Sequence, residues 1–191
     1  MEIDMGEMAN QIKKEHEYIS LRLEILKNIF MKSKPAFIIN IKDLRECIRF
    51  HAVYTSMCHN GKEDAIIFKN LQGKGIDVFY REINRLSMEH ELCNDLIYEL
   101  NESLKTWDRS ENPYELLSPD FMMCTFDYIN HVESHIKNED NVLLPILEHF
   151  FSFSEQEKMC ELLNKYENTI LEKPENKDMI KNVDYLLRKY S

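Results

Sequence analysis

Apolar side chains in this chain recur every three or four residues over long stretches, and strict alternation is scarce. A 3.6-residue period puts such positions on one stripe of an α-helix, whereas a half-buried strand needs a period of two. Ile12, His16, Ile19, Leu23, Leu26 and Phe30 define a first helix, beginning by about residue 8 and ended by Pro35. Asn40 is a suitable N-cap for a second, whose stripe runs Leu44, Ile48, His51, Thr55, His59, Glu63 and Ile66. After the break at Gln72-Gly-Lys-Gly75, a third helix carries Phe79, Ile83, Leu86, His90, Cys93, Ile97, Leu100 and Leu104. Ser118-Pro119 opens a fourth, with Cys124, Tyr128, His131, His135, Glu139, Val142 and Ile146 on its stripe, and Pro145 is expected to kink or end it. Ser154-x-x-Glu157 reads as the capping box of a shorter helix to about Ile170, and Pro174 separates a last one ending near Tyr190. The pattern predicts an all-α fold: an antiparallel four-helix bundle over about residues 8–150, with one or two extra C-terminal helices over about 154–190.

Composition sharpens this picture. A length of 191 residues fits one domain spanning 1–191, and four Gly and five Pro leave few helix breakers. Lys plus Arg number 24 against 34 Asp plus Glu, a formal charge of −10, which argues against a nucleic-acid partner. No apolar run is long enough to span a membrane, and the acidic start Met1-Glu-Ile-Asp does not read as a signal peptide. Cys47, Cys58, Cys93, Cys124 and Cys160 form an odd set without C-x-x-C spacing, as expected of free thiols in a cytoplasmic protein. Gly73 and Gly75 lack the neighbours of a phosphate-binding loop.

The chemistry lies in what occupies the inward stripes. His16, His51, His59, His90, His131 and His135 stand where a bundle places apolar side chains, with Glu63 and Glu139 beside them. One core histidine is ordinarily just hydrogen-bonded, but so many buried polar groups together are costly unless something binds them. His59-x-x-x-Glu63 and His135-x-x-x-Glu139 each project an imidazole and a carboxylate from one helix face, one turn apart. The set is also an internal repeat: His16 and His90 lie 74 residues apart, His59 and His135 76, and Glu63 and Glu139 76. Lys14-Glu-His16-Glu matches Met88-Glu-His90-Glu, and His59-Asn-Gly-Lys-Glu-Asp64 matches His135-Ile-Lys-Asn-Glu-Asp140. Two helical hairpins facing each other would supply two half-sites of His, His and bridging Glu, suited to a pair of first-row transition metals. Structural zinc prefers a closed four-coordinate site, often with thiolates at short spacing, and the cysteines offer none.

These residues, with Leu143-Leu-Pro145 after the second motif, resemble the hemerythrin-like, or HHE cation-binding, family over about residues 8 to 150. The resemblance implies two non-haem iron ions, oxo- or hydroxo-bridged, with His16, His59, His90 and His135 as terminal ligands and Glu63 and Glu139 as bridges. It also implies a small diatomic or peroxide ligand and an electron-donor protein. Animal oxygen carriers of the family have a fifth histidine one turn from the third-helix ligand; here those positions are Leu86 and Asn94. His131, one turn before His135, is the better placed candidate for a further ligand, and His51, two turns before His59, the weaker one. Asp64 and Asp140 read as acids behind the ligands, with Asp140 an alternative bridge to Glu139. Tyr54 and Tyr128 lie near the stripes, Gly61 falls between a ligand pair, and His149 reads as structural. The functions implied are handling of O2, nitric oxide or peroxide in stress defence or sensing, iron–sulfur cluster repair by iron donation, or an iron- or oxygen-responsive binding module. Cluster-repair relatives commonly carry an N-terminal cysteine-containing domain, for which the early start of the first helix leaves no room. Whether the site turns over or only binds stays open.

Overall fold

The computed structural model describes residues 6–32, 38–75, 77–107 and 114–190. Helix α1 covers Glu7–Lys32. Helix α2 covers residues 41–73 and changes its winding along the way: α-helical over Ile41–Phe50, π-helical over His51–Asn60 and Glu63–Phe68, and α-helical again over Lys69–Gly73. Helices α3 (Asp77–Trp107), α4 (Pro119–Phe150), α5 (Phe153–Leu171) and α6 (Met179–Tyr190) follow, with a 3-10 turn at Pro174–Asn176. The Asn40 side chain accepts from the Lys42 and Asp43 backbone N–H groups, and Ser118 accepts from that of Phe121 with Pro119 at the first helical position, so both caps act as the sequence suggests.

Helices α1 to α4 form an all-α bundle, and α5 and α6 pack across α1 and α2. Their attachment mixes apolar and charged contacts: Met179, Val183 and Leu186 of α6 are buried, Arg22 pairs with Asp184, and the Tyr190 hydroxyl donates to Asp43 at 2.6 Å. The bundle core is two apolar clusters. One holds Ile19, Leu23, Ile48, Ile97, Leu100 and Tyr128; the other holds Ile12, Phe68, Ile83, Leu86, Leu143 and Leu163. Between them lies a polar waist formed by the six His and Glu positions of the repeat.

Four local expectations change. Strand β1 (Ile38–Asn40) pairs antiparallel with β2 (Tyr114–Leu116), Ile39 opposite Glu115, so a two-stranded ribbon joins the α1–α2 and α3–α4 connections. Runs of three residues are too short for their period to show in a sequence. Of the two expectations for Pro145, a kink or an end, the end is excluded, because helix α4 runs through it to Phe150. Pro145 and Asn141 are both exposed, so the carbonyl that loses its donor stays in reach of water. The capping box is Ser152–Glu155, two residues earlier than Ser154–Glu157. Both fit S-x-x-E, and the earlier start turns Gln156, Met159, Cys160 and Leu163 inward. Finally, the π-helical winding moves the end of the α2 stripe from Ile66 to Ile67 and Phe68.

Candidate metal centre

His16 comes from α1, His59 and Glu63 from the π-helical part of α2, His90 from α3, and His135 and Glu139 from α4; none is more than 3% exposed. Their ligating atoms fall into two groups, each within a 4.8 Å span: His16, His59, Glu63 and Glu139, and Glu63, His90, His135 and Glu139. The two glutamates are common to both. Glu139 approaches His16 Nε2 at 3.1 Å, His135 Nε2 at 3.2 Å and His90 Nε2 at 3.4 Å, and Glu63 approaches His90 Nε2 at 3.4 Å. The rings pair edge to face within each group, His16 with His59 at 5.0 Å between centroids and His90 with His135 at 4.7 Å.

Polar groups buried this deeply ordinarily close hydrogen bonds. Here the Nε2 atoms of all four histidines and both oxygens of Glu63 and Glu139 find no hydrogen-bond partner among the described residues. Four imidazole nitrogens and two carboxylates, converging and unsatisfied, are a donor set that fits cations. None of the five free cysteines belongs to either group.

The outward nitrogens are all engaged. His16 Nδ1 lies 2.7 Å from Asp140, His59 Nδ1 2.9 Å from Glu15, His90 Nδ1 3.0 Å from Asp64 and His135 Nδ1 2.8 Å from Glu89. A carboxylate on the far nitrogen fixes the imidazole tautomer, leaves Nε2 free as a donor and makes it more basic. These pairs obey the repeat, Glu15 answering Glu89 and Asp64 answering Asp140. Behind them, Lys13 binds Asp140 and Ser87 binds Asp64. Lys62, wholly buried, bridges Glu15 at 2.6 Å and Glu167 of α5 at 2.7 Å. Its counterpart Asn138 donates to Glu89, which Arg85 also meets at 3.0 Å.

Burial pulls the His16 imidazole down, but its hydrogen bond to Asp140 and the negative charges of the nearby Glu139 and Glu63 prevail and hold it at about 10. His135 is held at about 9, against burial, by Glu139 and Glu89. His59 and His90 are raised by the same carboxylates despite burial. Burial favours a neutral Glu139, yet the surrounding imidazoles keep it well below the usual carboxylate range. The pocket is therefore set for positive charge, carried by protons in the absence of a cation.

Two histidines of the stripes lie outside both groups. His131 Nε2 donates to the Glu89 carbonyl at 2.7 Å, with its ring stacked 6.3 Å from that of His135, so it braces the segment that holds Glu89. His51 shares a 3.1 Å hydrogen bond with Thr55, and burial pushes its imidazole down to about 3. Tyr54 stacks on Phe50 in the core. At Gly61 a methyl group would meet the Tyr166 hydroxyl at 2.7 Å, so the glycine serves close contact with α5. His149 donates to the Pro145 carbonyl at the end of α4. Sequence reasoning passed over Glu15, Glu89 and Lys62. The first two sit inside the matched tetrapeptides beside His16 and His90, where the repeat could have singled them out; Lys62 looks like any surface lysine.

Among known families, the hemerythrin HHE cation binding domain matches residues 7–147. That span ends just before the last turn of α4, leaving α5 and α6 outside it. No curated protein and no solved structure matches the chain.

Proposed function

The chain belongs to the hemerythrin HHE cation-binding family, and from that premise we propose that it holds two non-haem iron ions and reacts with a small oxidant: O2, nitric oxide or peroxide. The observation that carries this reading is the set of eight converging, buried and unpartnered Nε2 and carboxylate atoms, divided into two groups that share Glu63 and Glu139. His16 and His59 would hold one ion, His90 and His135 the other, and the two glutamates would bridge them. Iron is favoured over structural zinc because a nitrogen and oxygen donor set with shared carboxylates in a bundle core suits a metal pair. Two such ions supply two electrons to a small oxidant, one from each.

The rest of the work falls to the chain. Asp140, Glu15, Asp64 and Glu89 hold each imidazole with Nδ1 outward and Nε2 inward. The apolar clusters pack on either side of the waist, while His16 and Asp140 also line an open cavity. An electron-donor protein is the partner this reading needs, and the five free thiols fit a reducing, cytoplasmic setting. The test is anaerobic purification with metal analysis, followed by rapid mixing of the reduced protein with O2, nitric oxide and peroxide. Two irons per chain and an optical change with at least one oxidant are expected. An iron-free protein, or an iron-loaded one inert to all three, contradicts the proposal.

A further inference from the structure

The internal repeat holds at the ligands and fails beside them. Between the waist and the β ribbon, repeat-related positions have opposite character. Ile19 answers Cys93 at the α1–α3 offset of 74; Ala52 answers Tyr128, Val132 answers Ser56 and Ile136 answers Asn60 at the α2–α4 offset of 76. At these four pairs one member is apolar and its symmetry mate polar, whereas Thr55 and His51 answer the polar His131 and Asp127. The polar members are deeply buried: Tyr128 0%, Cys93 1%, Asn60 1% and Ser56 6% exposed. With Thr55 and His51, also buried, they make a file along α2 through the upper apolar cluster, reaching the ligand level where Asn60 follows His59 and Cys93 lies one turn beyond His90.

Bonds within the file are incomplete. Ser56 and Cys93 are paired at 3.7 Å and His51 and Thr55 at 3.1 Å, while the His51 and Tyr128 rings meet edge to face at 5.5 Å. Yet both polar atoms of Asn60, the Tyr128 hydroxyl and His51 Nε2 find no hydrogen-bond partner among the described residues. Apart from the ligand set, few side chains in the bundle are left so, and three fall together here. Unsatisfied buried polar groups at this density are the usual setting of internal water, which needs two to four polar partners per molecule.

We propose that the file from Asn60 to His51 is a hydration pocket that holds a short string of water molecules, and that hydrogen peroxide takes the same positions. Peroxide offers the same O–H donors and oxygen acceptors over the length of about two waters, so a row of amide, phenol and imidazole that satisfies one satisfies the other. The file meets the ligand set on the side of His59 and His90, across the bundle from the open cavity that His16, Asp140 and Ile136 line, and gives a small hydroxylic molecule an internal approach there. The water arm stands independently of the functional reading above; the peroxide arm rests on it.

The test is a crystal structure of the full chain with zinc in place of iron, before and after a short peroxide soak, paired with melting temperatures of Tyr128→Phe and Asn60→Leu. Ordered water is expected at about 2.7–3.2 Å from the Tyr128 hydroxyl, the Asn60 amide and His51 Nε2, with density lengthening to a two-atom species on soaking. Both variants should melt lower than the parent, because each removes a hydrogen bond to bound water. A dry file, or variants that melt higher because an unsatisfied polar atom has gone, overturns the hydration pocket. Water that the soak leaves unchanged overturns the peroxide arm. A chain that fails to take up zinc contradicts the metal reading, while the water positions and melting temperatures still decide the pocket.

Discussion

The two halves of the waist are alike at the ligands and diverge outward. Around His16 and His59, the supporting carboxylates Asp140 and Glu15 each meet a lysine, Lys13 and Lys62. Around His90 and His135, the equivalent Asp64 and Glu89 meet Ser87 and Asn138, neutral groups at the matching positions, with the half-exposed Arg85 added. A buried ion pair, Lys62 with Glu167, ties the first half to the C-terminal helices. The difference shows where chemistry constrains the chain. Positions whose atoms face the cation centre, or hold its imidazoles, repeat in type; positions one step further out need only satisfy a carboxylate, and a lysine, an amide or a serine can each do that.

The largest effect should come from a group common to both halves. Glu139→Ala removes a carboxylate from both ligand groups and should lower bound metal from the proposed two ions per chain to less than one, read by elemental analysis. His59→Ala and His135→Ala each strip one group and should leave about one ion.

Next is the buried ion chain of the first half. Lys62→Met leaves Glu15 and Glu167 facing each other without a cation, and removing one partner from a buried pair costs about 3–5 kcal/mol. The mate Asn138→Leu loses an amide hydrogen bond at a partly exposed carboxylate, about 1 kcal/mol. Chemical denaturation of both variants in the apo state would expose the asymmetry, and equal losses would erase it.

Alkaline pH probes both halves of the apo protein together. His16 and His135 are raised to about 10 and about 9 when folded, above the ordinary 6.5. Their protonation stabilises the apo fold fully below about pH 6.5; the unfolded chain loses its protons first as pH rises, and the contribution is gone above about 10. Apo protein should therefore melt progressively lower from neutral to pH 10, while metal-loaded protein, with Nε2 committed to the cation, should show a shallower slope. The smallest effect is expected for Arg85→Gln. Its ion pair with Glu89 is partly open to solvent, and screening holds such pairs to about 0–1 kcal/mol.

Much of this architecture is legible in the sequence because it is written in local periods. The stripes at Ile12 to Phe30 and Ile83 to Leu104 are buried as their spacing predicts, and the six ligand-type residues stand out as polar groups at apolar positions. What escapes depends on distant partners. Lys62 is buried only because Glu15 and Glu167 arrive 47 and 105 residues away in the chain to neutralise it. The π-helical part of α2 packs against α3 and α5, and no local propensity announces its winding. His131 shares the stripe of His135, yet it sits one turn earlier and about 40° round the helix, and its ring goes to the Glu89 carbonyl. The family match ends at residue 147, so Glu167, which anchors Lys62, lies outside it.

The central claim, two matched ligand groups sharing two carboxylates, is tested most directly by anaerobic titration of the apo protein with cobalt(II), followed optically, in the parent chain, His59→Ala and His135→Ala. The account predicts two ions per parent chain and one in each variant, with different spectra for the two one-ion forms. Saturation of the parent at a single ion, or retention of two by either variant, would contradict it.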